Sequence, residues 1–333
     1  MKLHKELIKF NLQLFAGNTN VTGDSGMTAE IKTYYSDYLI DNAVPELVHD
    51  QFGQKHPIPK NGGKTIEFRK YSPFPKALNK LAEGVTPNGR KIELTTLTAE
   101  IGQYGDYVEL SDVLLLTAID NNLVQATELL GQQAGKTLDT VTREVLNGGT
   151  NVQYADGSVS ARASLSQSNA NHKLTVKAIK MAVRNLKVQN AGKINGAYVA
   201  IIHPDCAYDL TSDPLWRAPK EYADPKDLYE GEIGMLEGVR FVETTEAKVF
   251  AKGGASSADV YSTLVLGANA YGVTEVEGGG LKHITKQLGS AGTADPLDQR
   301  ATAGWKAIKT AERLVEAFMI RIETVSSFNV GAN

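Results

Sequence analysis

The 333-residue chain has a single cysteine, Cys206. This excludes an internal disulfide framework and a four-cysteine zinc site. No apolar run approaches the ~18 residues of a membrane-spanning helix. The first fifteen residues open on basic side chains, but Glu6, Lys9, Asn11 and Gln13 interrupt them too early for a signal peptide, so a cytoplasmic place of synthesis is expected. Neither sign of charge is in excess: the net charge is -3, and nothing announces the clustered basic surface that phosphate contacts demand. Enzyme signatures are also thin. Gly278-Gly279-Gly280-Leu281-Lys282 lacks the spacing and the Ser or Thr of a phosphate loop and reads as a turn, and Ser158, Ser160, Ser164 and Ser166 sit outside any Gly-x-Ser-x-Gly elbow. What remains is ordinary for a globular protein, 42% hydrophobic and 22% charged, with about two domains' worth of chain.

The strongest pattern lies between Leu114 and Asn147. Ile119, Leu123, Ala126, Leu130, Ala134, Leu138, Val141 and Val145 recur every three or four residues with no proline between them, which predicts one long helix with a single buried stripe. Asp139, Arg143 and the other polar residues fall off that stripe, and Asn147-Gly148-Gly149 offers a left-handed stop. From Ile119 to Asn147 such a helix runs roughly 43 Å at ~1.5 Å per residue, against a radius of gyration of about 20 Å for a compact chain of this length. It would cross the whole subunit as a strut.

Before the strut the chain looks extended. Residues 1–60 combine a short amphipathic stretch (Leu3, Leu7, Phe10), a turn-rich run from Gly17 to Gly26, helical spacing again at Tyr34, Tyr35, Leu39, Ile40 and Val44, and Pro57-Ile58-Pro59. This arm could lie on its own domain or clasp a neighbour. Residues 65–71, 92–95 and 107–110 alternate as strands, and between the first two lie Pro73, Pro75, Pro87 and the turn dipeptide Asn88-Gly89. Folded back on itself, the stretch from Ile66 to Glu109 could reach on the order of 65 Å at ~3.3 Å per residue. A two-stranded projection is marginal alone in water, so it either rests on another copy of the chain or packs on the home domain. If it rests on another copy, Phe68, Arg69, Tyr71, Pro87, Asn88, Gly89 and Arg90 are the expected inter-subunit contacts.

After the strut comes an α/β body. Residues 174–188 form an amphipathic helix, with Lys177, Lys180, Arg184 and Lys187 on its solvated side. Residues 197–202 form a buried strand ending at His203-Pro204, and Asp205 is placed to cap a helix over 206–213. His203, Asp205, Cys206, Asp209 and Asp213 lie close enough to suggest a nucleophile, base or metal set. However, the histidine abuts a helix-starting proline, and the acids have no metalloprotease spacing, so the corner reads as structural. No catalytic, cofactor-binding or metal residue is assigned. A short apolar turn near 231–238 leads into a strand at 239–244, and strands at 262–266, 271–276, 304–310 and a long one at 313–328 complete the body.

The order of these segments resembles the HK97-fold major capsid proteins of tailed phages: N-terminal arm, proline-rich hairpin, strut helix, helix, strand ending in His-Pro, helix, then Gly231-Glu232-Ile233-Gly234-Met235-Leu236-Glu237-Gly238-Val239-Arg240-Phe241-Val242. More narrowly, Glu83-Gly84-Val85-Thr86-Pro87, Tyr104-Gly105-Asp106-Tyr107 and Ser111-Asp112 resemble the N4 gp56 capsid family, and residues 11–16 (NLQLFA) resemble the start of capsid proteins from phages of Firmicutes. The resemblance implies an α+β, HK97-like capsid fold with an N-arm (1–60), an extended loop (61–111), a peripheral domain with the spine helix (112–172), an axial domain (173–285) and a return to the peripheral domain (286–333). It implies a non-enzymatic shell protein, without cofactor, that forms hexamers and pentamers of an icosahedral head in the virion. Assembly would take place in the bacterial host cytoplasm with a separate scaffolding protein and a portal protein, a decoration protein being left open, around double-stranded DNA held by non-specific contact, with no membrane. An encapsulin-type nanocompartment and a soluble α/β enzyme are the other classes open to the sequence.

Overall fold

A computed structural model describes residues 39, 43, 47–57, 64–71, 74–78, 80, 83–84, 86, 88–117, 122–216, 232–274, 281–290 and 295–331. Most of the expected N-arm, together with Ile119 and Pro87, lies outside the described residues.

The largest unit is a mixed sheet with strand order β5-β15-β10-β6-β8-β7, in which β9 adds to β10. Its strands are β5 (Val152–Tyr154), β6 (Tyr198–Ile202), β7 (Glu232–Leu236), β8 (Val239–Glu243), β9 (Val249–Phe250), β10 (Val260–Leu266) and β15 (Met319–Val325). Every residue of β6, β10 and β15 is buried, the signature of strands covered on both faces. A helix at Val176–Val188 packs Ile179, Ala182, Val183 and Leu186 into the core, while its four cations point outward as expected. Thr175 caps it by accepting from the Ala178 N–H at 3.3 Å.

A second unit carries the strut. Strands β4 (Gly102–Ser111), β12 (Leu281–Lys286) and β13 (Arg300–Lys309) form an antiparallel sheet in the order β12-β13-β4. A 26-residue helix, Asn122–Asn147, lies against β13. Leu130, Ala134 and Leu138 meet Leu281, Ala303, Trp305 and Ala307, with Leu39, Ala43 and Leu47 joining the same cluster. In chain order the helices are α1 (Asp112–Thr117), α2 (Asn122–Asn147), α3 (Val176–Val188) and α4 (Pro204–Ser212). The single helix expected over 114–147 is therefore described as α1 and α2, with 118–121 outside the described residues. A third sheet, β1-β11-β14, joins Gln54–His56, Tyr271–Thr274 and Ala311–Arg313. The pair β2 (Thr65–Tyr71) and β3 (Leu94–Glu100) stands as a two-stranded ribbon.

Several local expectations need correction. The buried face of α2 drifts: Val141 and Val145 are only half-buried, whereas Asp139 and Arg143, assigned to solvent, are buried together with Thr142 and Leu146. Hydrophobicity alone cannot place a polar side chain whose partner sits elsewhere in the chain. The glycines after α2 are not left-handed; instead two side-chain ends approach them closely. A Cβ on Gly148 would lie 2.8 Å from Arg313 Nη1, and one on Gly149 3.0 Å from Glu316 Oε1. The long strand at 313–328 is divided into β14, a 3-10 turn at Glu316–Phe318 and β15, because the chain leaves one sheet for another there. Residues 232–236, read as part of a turn, form a strand. It pairs with β8 through Glu237 and Gly238, both at positive φ (54° and 77°), the geometry that suits a two-residue hairpin. Leu281 and Lys282, read as part of a turn, open β12.

Candidate assembly surface

The ribbon is fastened at its root and bare beyond it. In the β2–β3 register Ile66 faces Ala99, Phe68 faces Leu97 and Tyr71 faces Leu94. Ile66, Phe68 and Ala99 pack with Leu314 as one small core. The Phe68 ring meets His56 edge-on at 4.8 Å between centroids. A Cβ on Gly272 would stand 2.4 Å from Phe68 Cε1, so only glycine admits the ring. Outward from this anchor, Tyr71, Phe74, Leu78, Ile92 and Leu94 are all exposed, Leu78 at 81%.

Of the expected contact residues, Arg69, Tyr71, Asn88, Gly89 and Arg90 are exposed, and Pro87 lies outside the described residues. Phe68 is the exception: at 1% exposure it is enclosed by the chain itself and holds the arm's root. The Asn88-Gly89 dipeptide forms no positive-φ turn; the turn is at Glu83-Gly84, with Gly84 at φ 75°. Strand pairing resumes at Leu94, two residues later than the alternation suggested.

Beneath the arm, a buried polar network that sequence reasoning missed fixes residues 49–50 to the strut. The main-chain N–H of His49 donates to Asp139 Oδ1 at 2.7 Å, and His49 Nδ1 donates to Asp139 Oδ2 at 2.7 Å. Thr142 Oγ1 donates to Asp50 Oδ1 at 2.6 Å, Lys309 Nζ is ion-paired with Asp50 Oδ2, and the Tyr271 hydroxyl donates to the His49 carbonyl. Burial pulls the Lys309 ammonium below its ordinary value, opposed by Asp50 and Asp139. These partners are 90 to 259 positions apart in sequence, separations that no spacing rule covers.

The His203–Cys206 corner is a joint. His203, not Asp205, is the N-cap of α4: its Nδ1 accepts from the Asp205 N–H at 3.2 Å, with Pro204 in the first turn. Asp205 Oδ2 instead accepts from the Tyr261 hydroxyl at 2.6 Å, tying α4 to β10. Asp209 receives Ser326 Oγ at 2.8 Å and Ser327 N at 2.9 Å, tying α4 to the chain after β15. Burial pushes the Cys206 thiol up to about 12, which leaves it without thiolate character at neutral pH. A cleft of about 480 Å³ elsewhere is lined by Thr150, Asn185, Gln189, Glu316 and neighbours, and includes one carboxylate with no histidine or cysteine.

This arrangement of strut, ribbon and central sheet is similar in fold to capsid subunits of known structure. The capsid of Ralstonia phage GP4 superposes with a TM-score of 0.61 at 16% identity, over 85% of this chain and 87% of that one. The capsid of Cyanophage Pam1 gives 0.60 at 15% identity, over 85% and 92%. A virus-like particle from Pyrococcus furiosus gives 0.51 at 14% identity, over 88% and 99%. The fold is thus the α+β, HK97-like capsid fold. No curated protein sequence matches the chain. The family profile described as phage capsid protein matches residues 109–287, more than half of the chain, and the chain belongs to that family. It is a major capsid protein, a structural component of a bacteriophage shell.

Proposed function

We propose that this subunit assembles into hexamers and pentamers of an icosahedral head around double-stranded DNA, with residues 61–111 of each copy lying over an adjacent one. The observation that carries this reading is the ribbon: a root held by Phe68, then a run of exposed apolar side chains with no cover among the described residues. A surface of that kind is characteristic of association. In this reading residues 112–172 are the peripheral domain with its spine and 173–285 the axial domain. Residues 286–333 return to the peripheral domain, a reading supported by β13 and β14 packing beside α2, although β15 joins the central sheet. Arg69, Tyr71, Asn88, Gly89 and Arg90, with Pro87, contact the neighbour, and Phe68 supports them from inside. The role is mechanical and not catalytic, which the hydrogen-bonded, thiol-inert His203–Cys206 corner supports. A scaffolding protein and a portal are its expected partners, in the host cytoplasm, with a decoration protein left open, and contact with DNA is non-specific.

The test joins Tyr71 to Leu94, which are already paired, through an Asn-Gly turn in place of residues 72–93. The shortened chain should keep its secondary structure and melting transition but form no closed particles by electron microscopy. Normal particles from it would refute the arm's role. Intact particles holding a co-purified protein cargo and no nucleic acid would instead favour a nanocompartment shell.

A further inference from the structure

The arm and the surface that follows it in sequence are oppositely charged, and this fixes where the arm can dock. Residues 64–91 carry seven lysines and arginines against two acids, Glu67 and Glu83; residues 92–135 carry seven acids and no lysine or arginine. Among the described residues of the second stretch, Asp106 and Glu109 are exposed along β4, and Asp112 is half-buried at the start of α1. Hydrogen bonding from Gln133 and from the Tyr107 N–H holds the Asp106 carboxyl below its ordinary value, so it stays ionised. Glu109 has only a long, half-exposed pairing with Arg300 at 4.0 Å.

The same margin is apolar. Val113, Leu114, Leu115 and Leu116 are all exposed on the six-residue α1, Leu116 at 83%, and Tyr107 and Val108 are exposed on β4. Among the described residues, β4 is the outer strand of its sheet and pairs as a strand only with β13. A ten-residue open edge beside exposed leucines is a liability unless something covers it.

The other available face of this sheet is unsuitable. Lys282 stands directly opposite Lys306 in register, with Lys286 further along, and all three are exposed and absent from any ion pair among the described residues. A cationic arm laid there would meet like charge. Resting on the reading of the arm given above, we propose that its outer part, between Tyr71 and Leu94, seats along the β4 edge and over α1 of a second copy. Phe74, Leu78 and Ile92 then cover the leucines of α1, while Arg90 and Lys91 face Glu109 and Asp112. The apolar contact supplies affinity and the charges select register.

Charge exchange tests this. Arg90→Glu with Lys91→Glu, and separately Glu109→Lys with Asp112→Lys, should each abolish fast-sedimenting particles, and the four changes together should restore them. Wild-type assembly should slow as ionic strength rises. Because Asp112 also accepts from the Val113 N–H at 2.8 Å, each variant's melting curve is compared with wild type. Leu116→Glu, at a site too exposed to affect folding, provides a second probe that should block assembly without altering the melt. If the loop-shortened chain fails to assemble but the fourfold exchange restores nothing and Leu116→Glu assembles normally, this docking surface is overturned while the arm's role stands. Particles from the loop-shortened chain would overturn both.

Discussion

Asp139, near the middle of the strut helix, receives two hydrogen bonds from one residue 90 positions earlier: the main-chain N–H of His49 at 2.7 Å and its ring Nδ1 at 2.7 Å. Both side chains are buried, at 0% and 1% exposure. The contact converts a segment that precedes the arm into part of the strut's core. Asp139→Ala would leave two buried donors without an acceptor, a loss of about 3–5 kcal/mol by the measured cost of breaking buried pairs. Thermal denaturation should show a fall on the order of 10 °C; an unchanged transition would mean the network is not formed.

The arm's root offers a sharper test. Gly272→Leu forces a side chain into the space of the Phe68 ring, and Phe68→Ala empties it. The second change should cost about 3–5 kcal/mol, as for other buried phenylalanines. Both should raise amide hydrogen exchange in β2 and β3 more than in β10 and β15, since the ribbon's buried contacts all lie at this end. Equal exchange throughout would place the anchor elsewhere.

Acid should loosen the α4 corner. His203 is held below its ordinary value near 6.5 by burial, opposed by Asp205, and it caps the helix through an unprotonated Nδ1. With the folded value depressed, the unfolded chain binds the extra proton first. Stability is therefore complete above about pH 6.5 and is lost as pH falls below that through the folded value. His203→Asn, which keeps a capping side chain, should flatten this part of the melting-versus-pH curve. An identical slope in the variant would assign the acid sensitivity to other groups.

Cys206 provides a reporter of intactness. Fully buried, with its thiol raised to about 12, it should react with a thiol reagent at a rate set by unfolding, and completely in denaturant. Rapid labelling of the native chain would show that α4 opens readily.

Sequence by itself determined the elements whose signal is local. The helix at Val176–Val188 and the strand at Tyr198–Ile202 were legible because their burial follows directly from 3.6-residue periodicity and from an unbroken apolar run. The ribbon strand at Thr65–Tyr71 was legible from alternation, and the family resemblance from the order of segments. Only the tertiary structure decided what depends on partners far along the chain. Asp139 and Arg143 look like solvent-facing residues until His49 and the Glu246 carbonyl, which receives Arg143 Nη1 at 2.8 Å, are brought to them. Phe68 looks like an outward contact until Gly272 and His56 close around it. Gly148 and Gly149 lie beside the side-chain ends of Arg313 and Glu316 and form no left-handed turn. The physical reason is common to these cases: periodicity reports transfer from water, which each residue carries with it, whereas a buried polar pair or a forced glycine exists only once two distant segments are fixed in contact.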